Sequence, residues 1–110
     1  MSLPNPDRAV IDTLKVRDYL LSAAHPVGRF KARFFVSLGY TADQWEKLQS
    51  DILGIARSGT VSGETVTSYA CKFEVDGILP APSGRSATVR TVWIIRAGED
   101  FPRLVTVFPR

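Results

Sequence analysis

The residues best suited to chemistry lie at the start of a predicted helix, where His25 and Lys31 fall within about two turns of each other. Apolar side chains share one arc of that helix, and they are Val27, Phe30, Phe34, Phe35 and Leu38. Lys31 falls inside the arc, so its amine must either extend to solvent along its stem or meet an anion. A neutral His25 is suited to general acid or base catalysis near pH 7, and a solvated histidine in a turn is the alternative.

The start of the same helix has the features of an anion site. Free N–H groups and the helix dipole favour negative charge there, and Gly28 allows close approach to the backbone. Arg29 and Arg33 lie on the solvent side of the helical wheel. We therefore expect Gly28, Arg29 and Arg33 to contact phosphate.

Polar side chains also interrupt the apolar strands of the C-terminal half. Arg90 lies in a strand suited to burial, and a buried arginine needs an anion, either Glu74 on the preceding strand or a ligand. Thr91 and Thr106 add hydroxyl groups on the central and last strands. Arginine outnumbers lysine ten to four in a chain of net charge +3, and the guanidinium fork suits phosphate.

Composition limits the cofactors. With one histidine and one cysteine, the 110-residue chain cannot build the clustered nitrogen and sulfur sites that zinc prefers. The eleven acidic residues are scattered, so no metal or other cofactor is expected, although a magnesium site of carboxylates alone stays open. No apolar run approaches the roughly 20 residues that span a bilayer. With the lone Cys71 excluding an internal disulfide, we expect a cytoplasmic protein without a membrane anchor.

The elements that must position these residues divide the chain into a helical half and a sheet half of one α+β domain over 1–110. Residues 1–11 are predicted to be extended. Two to three helices follow, predicted over about 13–22, from Pro26 to about Leu38 before Gly39, and from a capping box at Thr41 and Gln44 to Gly59.

After Gly63 the hydrophobic period changes from helical to alternating, which indicates strands. We predict one strand through Tyr69–Val75, a loop over 77–84, a central strand over 86–96 and a last strand over 102–108. Short connections favour an antiparallel sheet of three to five strands packed on the helices.

Four runs of sequence are distinctive as a set: His25–Phe35, Leu38–Tyr40, Val89–Ile95 and Pro102–Thr106. As a set they resemble DUF6883, a family of small bacterial proteins of unknown function, from Ala9 onward. More distantly, the order of helices and sheet resembles the barnase–EndoU–colicin–RelE group of RNases and toxins. That resemblance implies a site with His25 and Lys31 on the helical side and Arg90, Thr91 and Thr106 on strands, although the strands carry no histidine.

The sequence therefore leaves two alternative functions, of which the first is favoured. In the first, a metal-free endoribonuclease or toxin domain, His25 assists removal of the 2′-hydroxyl proton and Lys31 and Arg90 stabilise charge on phosphate. Thr91 and Thr106 orient the phosphate, and the partners are RNA and a cognate antitoxin or immunity protein. The alternative is a non-catalytic interaction module in which Lys31 and Arg90 hold the fold by ion pairs with Glu74 or Asp76.

Overall fold

A computed structural model describes residues 2–12, Val16 and 29–110, and the side chains of residues 29–31 are not described. Its elements in chain order are a 3₁₀ helix Pro6–Arg8, helix α1 Arg29–Ser37, a 3₁₀ helix Ala42–Gln44, helix α2 Trp45–Ser58, and strands β1 Thr60–Val66, β2 Ala70–Pro80, β3 Ser86–Arg96 and β4 Arg103–Pro109. The α+β prediction is confirmed. The helix predicted over about 13–22 lies outside the described residues, apart from Val16, which is buried.

The ends of the helices follow from local sequence signals. Gly39 follows α1 with φ of 96°, a left-handed conformation that glycine adopts at low cost. The Thr41 hydroxyl accepts a hydrogen bond from the Gln44 N–H at 3.3 Å and so caps the 3₁₀ turn that leads into α2. At the other end of α2 the Gly59 N–H donates to the Ile55 carbonyl at 2.7 Å. The stops predicted at Gly39 and Gly59 are confirmed.

The four strands form an antiparallel sheet in the order β1-β2-β3-β4. Strands β2 and β3 pair along their whole length of 11 residues each with no shift of register. In that register Asp76 lies opposite Arg90, and Glu74 lies opposite Val92. This pairing decides which side chains of the central strand share a face.

The sheet has one strand that the sequence did not predict and one strand that ends later than predicted. Strand β1, Thr60–Val66, precedes the first predicted strand and contains a bulge between Val61 and Gly63. Strand β2 runs on to Pro80, which shortens the loop predicted over 77–84. Gly77 fits in the strand because α2 packs directly on it: a Cβ there would lie 2.7 Å from a methyl carbon of Ile55.

The sheet has one face on the hydrophobic core and one facing away from α2. Large buried side chains of the core include Trp93, Phe35, Leu48, Ile52, Val75, Val89 and Val107. We call the opposite side the distal face, and it carries Glu74, Asp76, Thr88, Arg90, Thr106, Phe108 and Arg110. The alternation of apolar and polar positions in β2 and in the first half of β3 produces both faces, and the apolar Val92 and Ile94 also lie on the distal face.

The N-terminal segment packs along the outer edge of β4. Val10 forms a parallel bridge with Arg103, its N–H donates to the Pro102 carbonyl at 2.9 Å, and its carbonyl accepts from the Leu104 N–H at 3.0 Å. Leu3 and Ile11 are buried in the core. The segment therefore covers part of an edge that would otherwise expose unpaired backbone groups.

Substitution by alanine should change the free energy of unfolding in opposite directions at Gly54, within α2, and at Gly59, directly after it. A Cβ at Gly59 would lie 2.6 Å from the Ile55 carbonyl oxygen and 2.7 Å from that of Asp76, whereas nothing lies within 4 Å of one at Gly54. We expect urea unfolding to show a loss of about 1–3 kcal/mol for Gly59→Ala from overpacking. Gly54→Ala should gain roughly 0.5–1 kcal/mol from helix propensity. Equal effects of the two changes would contradict the packing described for the α2–β1 junction.

Candidate functional site

Arg90 lies at the centre of the distal face and is held by two carboxylates of β2. Its Nε and Nη2 donate to the two oxygens of Asp76 at 2.8 and 3.2 Å, a bidentate pair. Its Nη1 lies 3.3 Å from Glu74 Oε2. The hydrogen bond to Asp76, followed by the charges of Asp76 and Glu74, raises the pKa of Arg90 above its usual range, although partial desolvation opposes the shift. The anion that a half-buried Arg90 requires is thus present within the fold.

Arg110 joins the same group from the end of β4. Its Nε lies 3.1 Å from Asp76 Oδ2, and its backbone N–H donates to the Thr88 carbonyl at 3.0 Å. We call Arg90, Arg110, Glu74 and Asp76 the distal cluster.

The members of the distal cluster differ in their access to solvent. The side chains of Asp76 and Arg90 are 17% and 21% exposed, whereas those of Glu74 and Arg110 are 34% and 49% exposed. Asp76 contacts both arginines and organises the cluster, while Arg110 and Glu74 expose more of their charge to solvent. Two cations and two anions balance, so a bound phosphate would have to share the arginines with the carboxylates.

Thr91 has a structural position. Its side chain is fully buried on the core face, its hydroxyl donates to the Val75 carbonyl at 2.8 Å, and it accepts a hydrogen bond from Trp93 Nε1 at 2.7 Å. Because adjacent strand residues point to opposite faces, Thr91 and Arg90 cannot reach one ligand. This corrects the expectation that Thr91 orients a phosphate. Thr106, by contrast, lies on the distal face opposite Val92.

The residues expected on the helical side are only partly described. His25 and Gly28 lie outside the described residues. The backbone of α1 includes Arg29 and Lys31, whose side chains are not described, and Arg33 is exposed on that helix. The roles of these five residues, and their meeting with Arg90, stay predictions.

Of the distal-face residues, Phe108 and Arg110 were not found by reasoning from the sequence, whereas Glu74 and Asp76 were predicted only as ion-pair partners. Glu74 and Asp76 are two positions apart on one strand, a spacing that places both carboxylates on one face. Phe108 and Arg110 continue the same alternation from Thr106. The period of two in β2 and β4 therefore indicates which of these residues share a face.

One groove outside the distal face fits an anion less well. A groove of about 610 Å³ runs between the second half of α2 and the end of β2, past Gly54, Ser58 and Ile78. Its lining includes Asp51 and Asp76 and no lysine or arginine, so its charge disfavours phosphate. Within 2–12, Val16 and 29–110, no group of three or more metal-binding side chains occurs. No helix of the described part is long and apolar enough to cross a membrane.

Comparison with known proteins gives a family and a fold. The family model of DUF6883, described as a domain of unknown function, matches residues 2–110. A solved structure titled as a contact-dependent growth inhibition toxin–immunity protein complex from Klebsiella pneumoniae 342 contains a chain that is 18% identical. The match covers 96% of each chain with a TM-score of 0.77, which at this identity establishes a shared fold. No curated protein matches the chain.

The structural position of Thr91 gives a stability prediction. Thr91→Val removes the acceptor of the buried Trp93 Nε1–H, and an unpaired buried donor costs about 1–3 kcal/mol. The measurement is the free energy of unfolding in urea, with exposed Thr88→Val of the same strand as the control. Thr88→Val should change it by less than about 0.5 kcal/mol. If both variants were as stable as the parent, the Thr91 hydroxyl would not be holding Trp93.

Proposed function

The chain belongs to the DUF6883 family, and we propose that it is a metal-free endoribonuclease domain of a bacterial toxin system. The observation that carries the proposal is the pair of guanidinium groups, Arg90 and Arg110, that meet over one sheet face beside Glu74. The fold shared with a chain of a toxin–immunity complex supports the assignment to a toxin system. A cognate immunity protein or antitoxin is the partner that this assignment implies.

Cleavage of RNA without a metal requires a base, a leaving-group acid and cations at the phosphate. The 2′ oxygen bonds to phosphorus as the bond to the 5′ oxygen breaks, so the base takes the proton of the 2′-hydroxyl and water gives a proton to the departing 5′ oxygen. The Nε of Arg110 contacts Asp76, and about half of the Arg110 side chain is exposed to solvent. Its remaining donors, with those of Arg90, suit the charge that develops on the phosphate oxygens.

Two side chains are candidates for the base that accepts the 2′-hydroxyl proton. His25 is the candidate from sequence, with Lys31 as a further cation and Thr106 as a phosphate-orienting hydroxyl. Glu74 is the candidate from the geometry, because it is one-third exposed and lies 3.3 Å from Arg90. Asp76 is less suited, since both arginines already hold its oxygens.

A second function has its own support. In the distal cluster Arg90 already has two carboxylate partners, which is the arrangement expected of a residue that only holds the sheet together. On that view the protein is a non-catalytic member of a toxin system that binds a partner protein. Comparing cleavage with stability in the same variants separates the two functions.

The first test is cleavage of bulk RNA in the presence of EDTA. We expect cleavage by the parent chain and a loss of about 100-fold in Arg90→Gln and Arg110→Gln, as for removal of one donor to a developing anion. Arg57→Gln is the matched control, because Arg57 is 54% exposed on α2 and pairs with Asp7. Full activity in both distal-face variants, or none in the parent chain, would exclude the proposed ribonuclease site.

The pH dependence of cleavage distinguishes the two candidate bases. Glutamate and histidine side chains ordinarily titrate about two pH units apart, so the acidic limb of kcat/KM reports which type accepts the proton. If Glu74 is the base, Glu74→Gln abolishes the acidic limb and His25→Ala leaves it in place. If His25 is the base, the opposite result is expected. An unchanged profile in both variants would remove both residues from the proton-transfer step.

Thermal unfolding tests the non-catalytic alternative. If Arg90 only holds the sheet, Arg90→Met leaves Asp76 and Glu74 without a cation between them and lowers Tm, while Arg57→Met does not. The parent chain would then also leave RNA intact. A Tm for Arg90→Met at or above that of the parent chain would contradict the purely structural role.

A further inference from the structure

Three side chains of different chemistry follow one another along β4 on the distal face: a hydroxyl, an aromatic ring and a guanidinium. Thr106, Phe108 and Arg110 occupy alternate positions, so successive Cα atoms are about 6.5–7 Å apart. Arg110 lies one residue past the strand, yet its N–H bonds to Thr88 and its guanidinium reaches over β3 to Asp76. The Arg110 side chain therefore shares the face of Phe108.

Phe108 is a strand neighbour of both arginines of the distal cluster. The register places Phe108 directly opposite Arg90, and such neighbours have Cβ atoms about 4.5–5.5 Å apart. Arg90 lies opposite Phe108 on the adjacent strand, and Arg110 follows Phe108 two residues later in the chain.

The ring of Phe108 is not explained by the hydrophobic core. Val107, the preceding residue, is fully buried on the core face, whereas Phe108 is half-buried. Among the described residues, Phe108 belongs neither to the core cluster nor to the half-buried apolar residues packed against it. On the distal face Phe108 has Arg90, Val92 and Thr106 as strand neighbours, and its half-buried ring keeps part of its surface available to a ligand.

We propose that Phe108 is a stacking platform for an unpaired nucleobase whose flanking phosphates contact Arg110 and Arg90. Aromatic rings on a sheet bind bases by stacking, and guanidinium groups beside them bind the backbone. A base inside a duplex has both faces covered by its neighbours, so only a single-stranded or looped segment can use the ring. The inference rests on the proposed ribonuclease function and names unpaired RNA as its substrate class.

The test is binding of a fluorescent 2′-O-methyl RNA hexamer, which lacks the 2′-hydroxyl needed for cleavage, measured by anisotropy at low salt. We expect the single strand to bind at least about tenfold more tightly than the same strand in a duplex. Phe108→Leu should weaken single-strand binding about tenfold or more, and Phe108→Trp should retain it, because any large aromatic face can stack. The matched control is Tyr69→Leu, which removes an 81% exposed ring from the turn between β1 and β2.

Each outcome decides the proposal. It is overturned if Phe108→Leu binds like the parent chain or loses no more than Tyr69→Leu, or if duplex and single strand bind equally. Should Phe108→Leu fail to fold, as near-ultraviolet circular dichroism would show, Phe108→Trp still decides, because a tenfold loss in that variant contradicts stacking. Because the hexamer cannot be cleaved, Phe108-dependent binding without cleavage of bulk RNA would refute the ribonuclease function alone.

Discussion

The pairing of β2 with β3 is the constraint on which the other features depend. These strands pair along 11 residues each without a bulge, so every side chain of the central strand is assigned to a face by one register. A slip of one residue would turn the whole set over. Thr91 would then leave the buried hydrogen bonds that join it to Val75 and Trp93, and Arg90 would lose Asp76. The core and the distal cluster therefore stabilise the same register from opposite faces.

The same register places the charges of the distal face at unequal depths. Asp76 is the least exposed member of the distal cluster and contacts both arginines, so it orients them. Arg110 and Glu74 are more exposed and able to meet a ligand. The same ion pairs can thus stabilise the sheet and prepare the arginines to bind phosphate, because a guanidinium that is already fixed loses less entropy when an anion binds.

Features with a local cause were predicted well from the sequence. The Thr41 cap, the stop at Gly39 and the limits of β3 each depend on a few neighbouring residues or on a simple alternation. The end of β2 was missed because Gly77 and Pro80 are typical loop residues. Tertiary structure overrides that preference at both residues. Ile55 of α2 packs directly on Gly77. Strand β1 does not extend opposite Pro80, so the N–H that proline lacks removes no hydrogen bond to β1.

The candidate site was predicted less completely, because it depends on which residues of two strands face each other. The need of Arg90 for an anion was clear, but Asp76 was identified as its bidentate partner only by the register. The alternation that separates Arg90 from Thr91 was visible in the sequence, and it excludes a shared ligand. His25 and Lys31 stay predictions, since their side chains are not among those described.

If Arg90 and Arg110 form a phosphate-binding pair, their Nε NMR resonances report it directly. A ¹⁵N-labelled protein is titrated with a single-stranded 2′-O-methyl RNA hexamer, and the Nε–H signals are assigned by single arginine-to-lysine variants. We expect the signals of Arg90 and Arg110 to shift together and to saturate at one RNA concentration, while the signal of Arg57 on α2 does not move. Unchanged Arg90 and Arg110 signals at saturating RNA, or equal shifts at Arg57, would contradict it.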